Sequence, residues 1–150
     1  MRTVYFKKDN YLYRRSHNKQ SLTDLRKHAI TWFAMQPGYG SDSTYGPIVT
    51  SWRVEERVSL LDISKKSYRV NGLNSYLKDA NIPFSLDDLS CDYQYSGGDR
   101  NKRFHKIIEP LLAEWGLDGT YIHEDDSDED CEGASEVVIR KSSLWKFAKM

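Results

Sequence analysis

The order of the chain predicts an α+β domain with antiparallel sheets. Short β-branched and aromatic runs stand near both ends, and apolar residues at helical spacing fill much of the middle. Strands and helices grouped in this way are typical of α+β domains, whereas a doubly wound parallel sheet alternates them. With 150 residues, 39% of them hydrophobic, the chain can bury a core, and we expect a single domain over residues 1–150.

The N-terminal part predicts strands around one short helix. Residues 3–6 and 11–14 are aromatic and β-branched runs separated by four polar residues, which predicts either a strand pair or one interrupted strand. Ser21 followed by Asp24 is a variant of the capping box and predicts a helix start. Residues 31–34 form a short apolar strand, and the Pro-Gly chemistry after them predicts an exposed loop.

The central part predicts two strands followed by helices. Residues 48–54 alternate apolar and polar side chains, and residues 57–63 are rich in Val, Leu and Ile. Apolar residues recur at helical spacing over 73–80 and over 104–115. Pro110 should either kink the second of these helices or open its second half.

The C-terminal part predicts a hairpin with a charged connection. Residues 120–123 and 136–140 have high β-propensity, and the segment 124–135 between them carries seven acids in twelve residues. Such charge is costly to desolvate, so we expect a solvated acidic loop. An EF-hand calcium loop would need Gly where Cys131 stands and Glu where Val137 stands, which disfavours a calcium site.

Composition excludes several classes of protein. Lysines and arginines balance acids at 22 each, which disfavours a general nucleic-acid binder but allows local patches. No apolar stretch approaches the roughly 20 residues that cross a bilayer, and the N-terminus lacks the apolar core of a secretion signal. We expect no membrane partner and an intracellular, cytoplasmic protein, with Cys91 and Cys131 as free thiols rather than zinc ligands or a disulfide.

Four widely spaced segments resemble those of NAD-dependent ADP-ribosyltransferase domains. They are Leu12-Tyr13-Arg14, Thr31-Trp32-Phe33-Ala34, Tyr45-Gly46 and Glu136-Val137-Val138-Ile139. The resemblance spans residues 11–139. It implies a split antiparallel β-sandwich with flanking helices, an NAD cleft between the two sheets, and NAD as co-substrate with no metal.

The resemblance assigns NAD-binding roles to residues in the first two segments. Arg14 would hold the phosphates and ribose, for which a guanidinium offers a planar fork of donors, and Arg15 and His17 are neighbouring rivals. The Thr31 hydroxyl would support the catalytic acid, and Phe33 would pack beneath the nicotinamide. From residue type alone, Arg14 also fits a surface strand and the Thr31 segment an ordinary core strand.

The last two segments supply the remaining roles. Tyr45 would cover the nicotinamide, with Tyr39 as a competitor. Glu136 would act as the catalytic residue, because a fixed carboxylate stabilises the positive charge that develops on the ribose as the bond to nicotinamide breaks. A solvated strand-end acid is the structural alternative for Glu136. Ala134 stands where the branch of the family that modifies arginine carries a second acid, which disfavours arginine as the acceptor.

Two functions follow as expectations. The first is an NAD-dependent ADP-ribosyltransferase or NAD glycohydrolase that transfers ADP-ribose to an unidentified protein or nucleic-acid acceptor, or to water. The alternative is a noncatalytic protein-interaction or structural module that retains the fold and binds a partner through exposed aromatics and the acidic loop. The sequence leaves the acceptor and the oligomeric state undetermined.

Overall fold

Eight strands form one mixed sheet in the part of the chain that the computed structural model describes, residues 3–35, 46–63, 68–82, 98–122 and 136–150. The strands are β1 (Thr3–Phe6), β2 (Tyr11–Ser16), β3 (Ile30–Ala34), β4 (Ile48–Val54), β5 (Val58–Asp62), β6 (Gly119–Ile122), β7 (Glu136–Arg140) and β8 (Phe147–Lys149). The helices are α1 (Leu22–Leu25), α2 (Tyr68–Asp79), α3 (Gly98–Glu114) and a 3₁₀ helix (Lys141–Lys146). Neighbouring strands follow the order β1-β5-β6-β7-β3-β2-β4-β8.

Strands β1 and β2 behave as one interrupted strand, the second of the two alternatives that the sequence left open. β1 pairs antiparallel with β5 and β2 pairs antiparallel with β4, so the two short strands do not pair with each other. The ladder continues across the break, where the Asp9 N–H donates to the Val54 carbonyl and the Val54 N–H donates to the Asn10 carbonyl, both at 2.8 Å. Asp9 has a φ of 71°, which marks the local kink.

Strands β2 and β3 touch at one residue pair and then separate. Tyr13 stands opposite Ala34, and no further pair is formed between the two strands. On their other sides, β2 pairs with β4 over six residues and β3 pairs with β7 over five. The sheet is therefore split between β2 and β3, and the N-terminal half of β3 has an edge that β2 does not cover.

The expected antiparallel arrangement holds for all strand pairs in the described residues except one. β5 and β6 are parallel, with Leu60 opposite Gly119 and Asp62 opposite Tyr121. Parallel neighbours require a long crossover connection, and the segment that contains α2 and α3 provides it. The C-terminal hairpin is confirmed, because β6 and β7 pair antiparallel from Gly119 and Ile139 onwards.

Two hydrophobic clusters lie on the two faces of the sheet. The first fills the inner face and includes residues from seven strands, α1 and the 3₁₀ helix, namely Phe6, Leu12, Leu25, Phe33, Trp52, Val54, Val58, Leu60, Val137, Ile139, Leu144 and Phe147. The second joins the outer face of β5 to helices α2 and α3, and consists of Leu61, Ile63, Leu73, Leu77, Phe104, Ile108, Leu111, Leu112 and Leu117. Alternate residues of β5 enter different clusters, as expected for a strand covered on both faces.

The predicted helices form with adjusted limits. Ser21 caps α1, and both hydrogen bonds of the capping box with Asp24 are present. α2 begins earlier than the apolar pattern indicated, and α3 continues through Pro110, so the proline does not separate two helices. Among the described residues, none of these helices is long and apolar enough to span a bilayer.

Candidate anion-binding cleft

A cavity of ≈ 1280 Å³ opens beside the N-terminal half of β3, where β2 has diverged. Its walls come from elements that are far apart in sequence. They are Arg14 of β2, residues 25–29 from the end of α1 onwards, residues 30–32 of β3, the residues His105, Lys106, Glu109 and Pro110 of α3, and Arg140, Lys141, Ser142 and Trp145 at the C-terminal side. The split in the sheet therefore creates the site.

Arg14 lies in the split and supplies a charge without a carboxylate partner among the described residues. Its Nη1 donates to the Trp32 carbonyl, while Nε and Nη2 donate to the Gln20 side-chain oxygen at 3.2 Å. Burial lowers the pKa of Arg14 to about 10, because the charged form is partly desolvated. The group is still cationic at neutral pH, so the cleft holds a charge that an anion can neutralise.

Thr31 offers a buried hydroxyl to the same cleft. Its side chain is 3% exposed, and Oγ1 has no hydrogen-bond partner in the part of the chain that the structure describes. A buried hydroxyl without a partner costs about 1–3 kcal/mol, so such groups are rare in folded proteins without a ligand or water to satisfy them. The Thr31 hydroxyl is therefore a polar group available to a ligand.

The cleft as a whole is strongly basic although the chain is neutral. Its lining holds six Lys and Arg residues and two histidines but one carboxylate, that of Glu109. Arg140 already binds this carboxylate at 2.7 Å. Within the described ranges, no three His, Cys, Asp or Glu side chains are placed to share a metal ion. The arrangement is suited to anions rather than cations.

Trp32 and His105 form one wall of the cleft. The two rings meet edge to face with centroids 6.3 Å apart, and His105 Nε2 lies 2.8 Å from the Thr120 hydroxyl. The resemblance assigned no role to Trp32, and the helical pattern over residues 104–115 did not single out His105. Strand alternation next to Thr31 could have pointed to Trp32, whereas His105 reaches the site only because α3 packs across the sheet.

Phe33 is a core residue below Arg14. It is 2% exposed, stacks on Phe147 with ring centroids 5.1 Å apart, and meets Trp52 edge to face. The Arg14 guanidinium carbon lies 5.8 Å from the centre of its ring. Phe33 does not line the cleft, so its contact with the site is through Arg14.

Glu136 is not brought together with Thr31. It begins β7, is 6% exposed, and stands opposite Ala34 at the far end of β3. Opposite residues of an antiparallel pair share a face and successive residues alternate, so Glu136 projects from the same face as Trp32 and from the opposite face to Thr31. Glu136 does not line the cleft.

The remaining candidate residues either lie away from the cleft or fall outside the described residues. Arg15 and His17 do not line the cleft, and Arg15 Nη1 instead lies 3.5 Å from the Gly46 carbonyl. Tyr45, its competitor Tyr39 and the acidic segment 124–135 lie outside the described residues. The proposed roles of both tyrosines and of that segment stay predictions.

A scan against models of protein families and a search of curated proteins both find no match.

Proposed function

We propose that this chain is an NAD-dependent ADP-ribosyltransferase or NAD glycohydrolase, with NAD bound in the cleft beside β3. The observation that carries this proposal is the meeting of Arg14 and Thr31, which are 17 residues apart in the chain and line one basic cavity. Arg14, which pairs with no carboxylate in the described ranges, offers its charge to the pyrophosphate, and the Thr31 hydroxyl offers a buried polar contact. The sequence resemblance assigns both residues to NAD.

The split between β2 and β3 supports the same proposal. A split β-sandwich with NAD between its sheets is the architecture that the resemblance implies, and here the cavity lies where β2 leaves β3. The Trp32 ring forms an aromatic wall against which a base or nicotinamide ring can pack. Charge, aromatic surface and an open strand edge together suit a dinucleotide better than a simple phosphate.

Glu136 can serve the reaction if NAD extends along β3. Glu136 stands opposite Ala34, three residues from Thr31, which corresponds to about 10 Å along a strand. Trp32 and Glu136 project from the face opposite to Thr31, so a dinucleotide held at Arg14 and Thr31 would have to cross the split in the sheet and pass over Trp32 to bring its nicotinamide end to the carboxylate. This distance is within the length of an extended dinucleotide.

The proposed reaction breaks the C–N bond between ribose and nicotinamide. Nicotinamide leaves with the bonding electron pair, and the ribose carbon then bonds to water or to an acceptor nucleophile, which gives up a proton. The Glu136 carboxylate would stabilise the positive charge on the ribose in the transition state. Arg14 would hold the pyrophosphate in place and take no part in bond breaking.

Release of nicotinamide from NAD by the purified chain tests the proposal. We expect release by the wild type, a loss of at least about 100-fold in Glu136→Gln, which keeps the size of the side chain but not its charge, and weaker NAD binding in Thr31→Val. Glu55→Gln is the matched control, because Glu55 pairs with Arg53 at the surface away from the cleft and should leave release unchanged. Equal release by Glu136→Gln and the wild type would refute the role of Glu136.

A noncatalytic module that retains the fold is the second candidate. It is favoured by the position of Glu136, which lies outside the lining of the cleft. In that case the chain binds an anionic ligand or partner at Arg14 without releasing nicotinamide. Calorimetry with NAD separates the outcomes: binding without release supports the module, and the absence of both binding and release refutes the NAD proposal.

A further inference from the structure

The cleft carries more positive charge than the two phosphates of a dinucleotide require. Arg14 lines the cleft, Arg140 is paired with Glu109, and Lys27 is paired with Asp24. Three further cations, Arg26, Lys106 and Lys141, line the cleft with exposed side chains. Among the described residues, no carboxylate lies within ion-pair distance of these three. These three side chains form the rim of the cleft, which is therefore able to bind a second, more highly charged anion.

An exposed aromatic side chain stands among these cations. Trp145 lines the cleft and is 57% exposed, although tryptophan usually buries its ring. The 3₁₀ helix that carries Trp145 begins at Lys141 and ends at Lys146, whose Nζ lies 5.7 Å from the centre of the Trp145 ring. Basic residues interleaved with an exposed aromatic ring are the features with which proteins hold single-stranded nucleic acid.

We propose that the rim of the cleft binds single-stranded nucleic acid, with phosphates at Arg26, Lys106 and Lys141 and an unpaired base on Trp145. The binding of the single strand is inferred from the rim residues alone, whereas the role of that strand as the acceptor of ADP-ribose rests on the proposed function. An acidic peptide would satisfy the cations but has no base to cover Trp145. A duplex would satisfy the cations but keeps its bases stacked on each other.

Fluorescence anisotropy with labelled 12-nucleotide RNA and DNA single strands and a duplex of the same sequence tests the proposal. We expect the single strands to bind more tightly than the duplex, and binding to weaken between 50 and 200 mM salt as phosphate contacts are screened. The double variant Lys106→Glu/Lys141→Glu should bind at least about tenfold more weakly. Lys78→Glu on α2, an exposed lysine outside the cleft, is the charge control and should bind as the wild type does.

Substitutions of Trp145 test the stacking contact separately. Trp145→Ala should weaken single-strand binding by about tenfold, and Trp145→Phe should restore most of it, because a phenyl ring still stacks. The proposal is overturned if the Lys106→Glu/Lys141→Glu and Lys78→Glu variants bind equally, if Trp145→Ala binds as the wild type does, or if polyglutamate displaces the strands as effectively as unlabelled RNA. Tighter binding of one of the two single strands would show whether the rim prefers RNA or DNA.

The acceptor role has its own readout. Mass spectrometry of the single strand after incubation with NAD should detect an ADP-ribose adduct. Nicotinamide release without an adduct on RNA or DNA would overturn the acceptor role, and single-strand binding without nicotinamide release would refute the proposed enzyme while supporting the binding site. The two proposals therefore fail in different measurements.

Discussion

At the scale of single residues, a buried carboxylate holds the turn that leads into β6. Asp118 is buried and organises this turn: its carboxylate accepts hydrogen bonds from the Ser143 hydroxyl at 2.7 Å, the Ser59 N–H at 2.8 Å and Lys146 Nζ at 3.0 Å. These contacts tie the parallel strand β5 and the 3₁₀ helix to one side chain. A buried carboxylate with this number of donors is stable in place because both its charge and its lone pairs are satisfied.

Gly119, next to Asp118, is a residue where substitution should be costly. A Cβ built on Gly119 would lie 1.8 Å from the Val138 carbonyl oxygen of β7, and backbone cannot yield as a flexible side chain can. We expect Gly119→Ala to lower the free energy of unfolding by about 3 kcal/mol or more, measured by urea denaturation. Gly116→Ala is the matched control: Gly116 has a φ of +66° and open space around it, so strain alone should cost about 1–2 kcal/mol. An equal or smaller loss at Gly119 would contradict the close approach.

At the scale of elements, α1 is a helix of four residues that depends on its cap. The Ser21 hydroxyl accepts from the Asp24 N–H, and the Asp24 carboxylate accepts from the Ser21 N–H at 2.8 Å. Leu25 then packs into the inner cluster, and the residues after it form one side of the cleft. The cap therefore contributes both to the fold and to the shape of the site.

Removing the cap should have a measurable effect that depends on pH. We expect Ser21→Ala to lower the free energy of unfolding by about 1 kcal/mol at pH 7, with Thr23→Ala in the same helix as a nearly neutral control. Hydrogen bonds from the Ser21 backbone and side chain lower the pKa of Asp24. Because the folded pKa lies below the ordinary value of 3.8, this contribution is present above pH 3.8 and is lost as the pH falls through the folded pKa. Asp24→Asn should remove that pH dependence. The prediction is contradicted if the free energy of unfolding of this variant falls at low pH as it does in the wild type.

The elements show which parts of the fold are encoded locally. The Ser21 capping box and the Val-Val-Ile run of β7 are local signals, and both elements form where the sequence predicts them. The partners of the strands are not local: the pairing of β1 with β5 joins residues 52 to 58 apart in the chain, and the parallel pairing of β5 with β6 joins residues 59 apart. No window of the sequence contains both members of these pairs, so strand pattern alone could not choose them.

The same limit applies to the candidate site. The resemblance grouped Arg14 and Thr31, and these residues line one cleft. The resemblance assigned Phe33, and not Trp32, to the nicotinamide site, and successive residues of a strand point to opposite faces. Phe33 thus enters the core while Trp32 lines the cleft. His105 could not have been assigned to the site without knowing where α3 packs.

At the scale of the whole molecule, a neutral chain separates its charges. Seven of its 22 acids stand in the segment 124–135, whereas the cleft is lined by six Lys and Arg residues and one carboxylate. Net charge therefore describes this protein poorly, and the field that an approaching ligand meets is local. Attraction of this kind acts over about 10 Å at 0.1 M salt and only about 3 Å at 1 M.

Binding at this local field should stabilise the entire fold. A ligand that binds the folded chain alone raises the free energy of unfolding by about 2.7 kcal/mol at 100 times its Kd. We expect inorganic pyrophosphate to raise the Tm of the wild type, and the shift to shrink at 1 M salt as the cleft is screened. Arg14→Met keeps the apolar stem beside Phe33 and removes the buried charge, so it should fold but show little or no shift. Lys78→Met on α2 should keep the full shift, since Lys78 lies outside the cleft. A full Tm shift in Arg14→Met would mean that the anion binds elsewhere. An equal loss of the shift in both variants would mean that the shift depends on the total charge of the protein and not on the cleft.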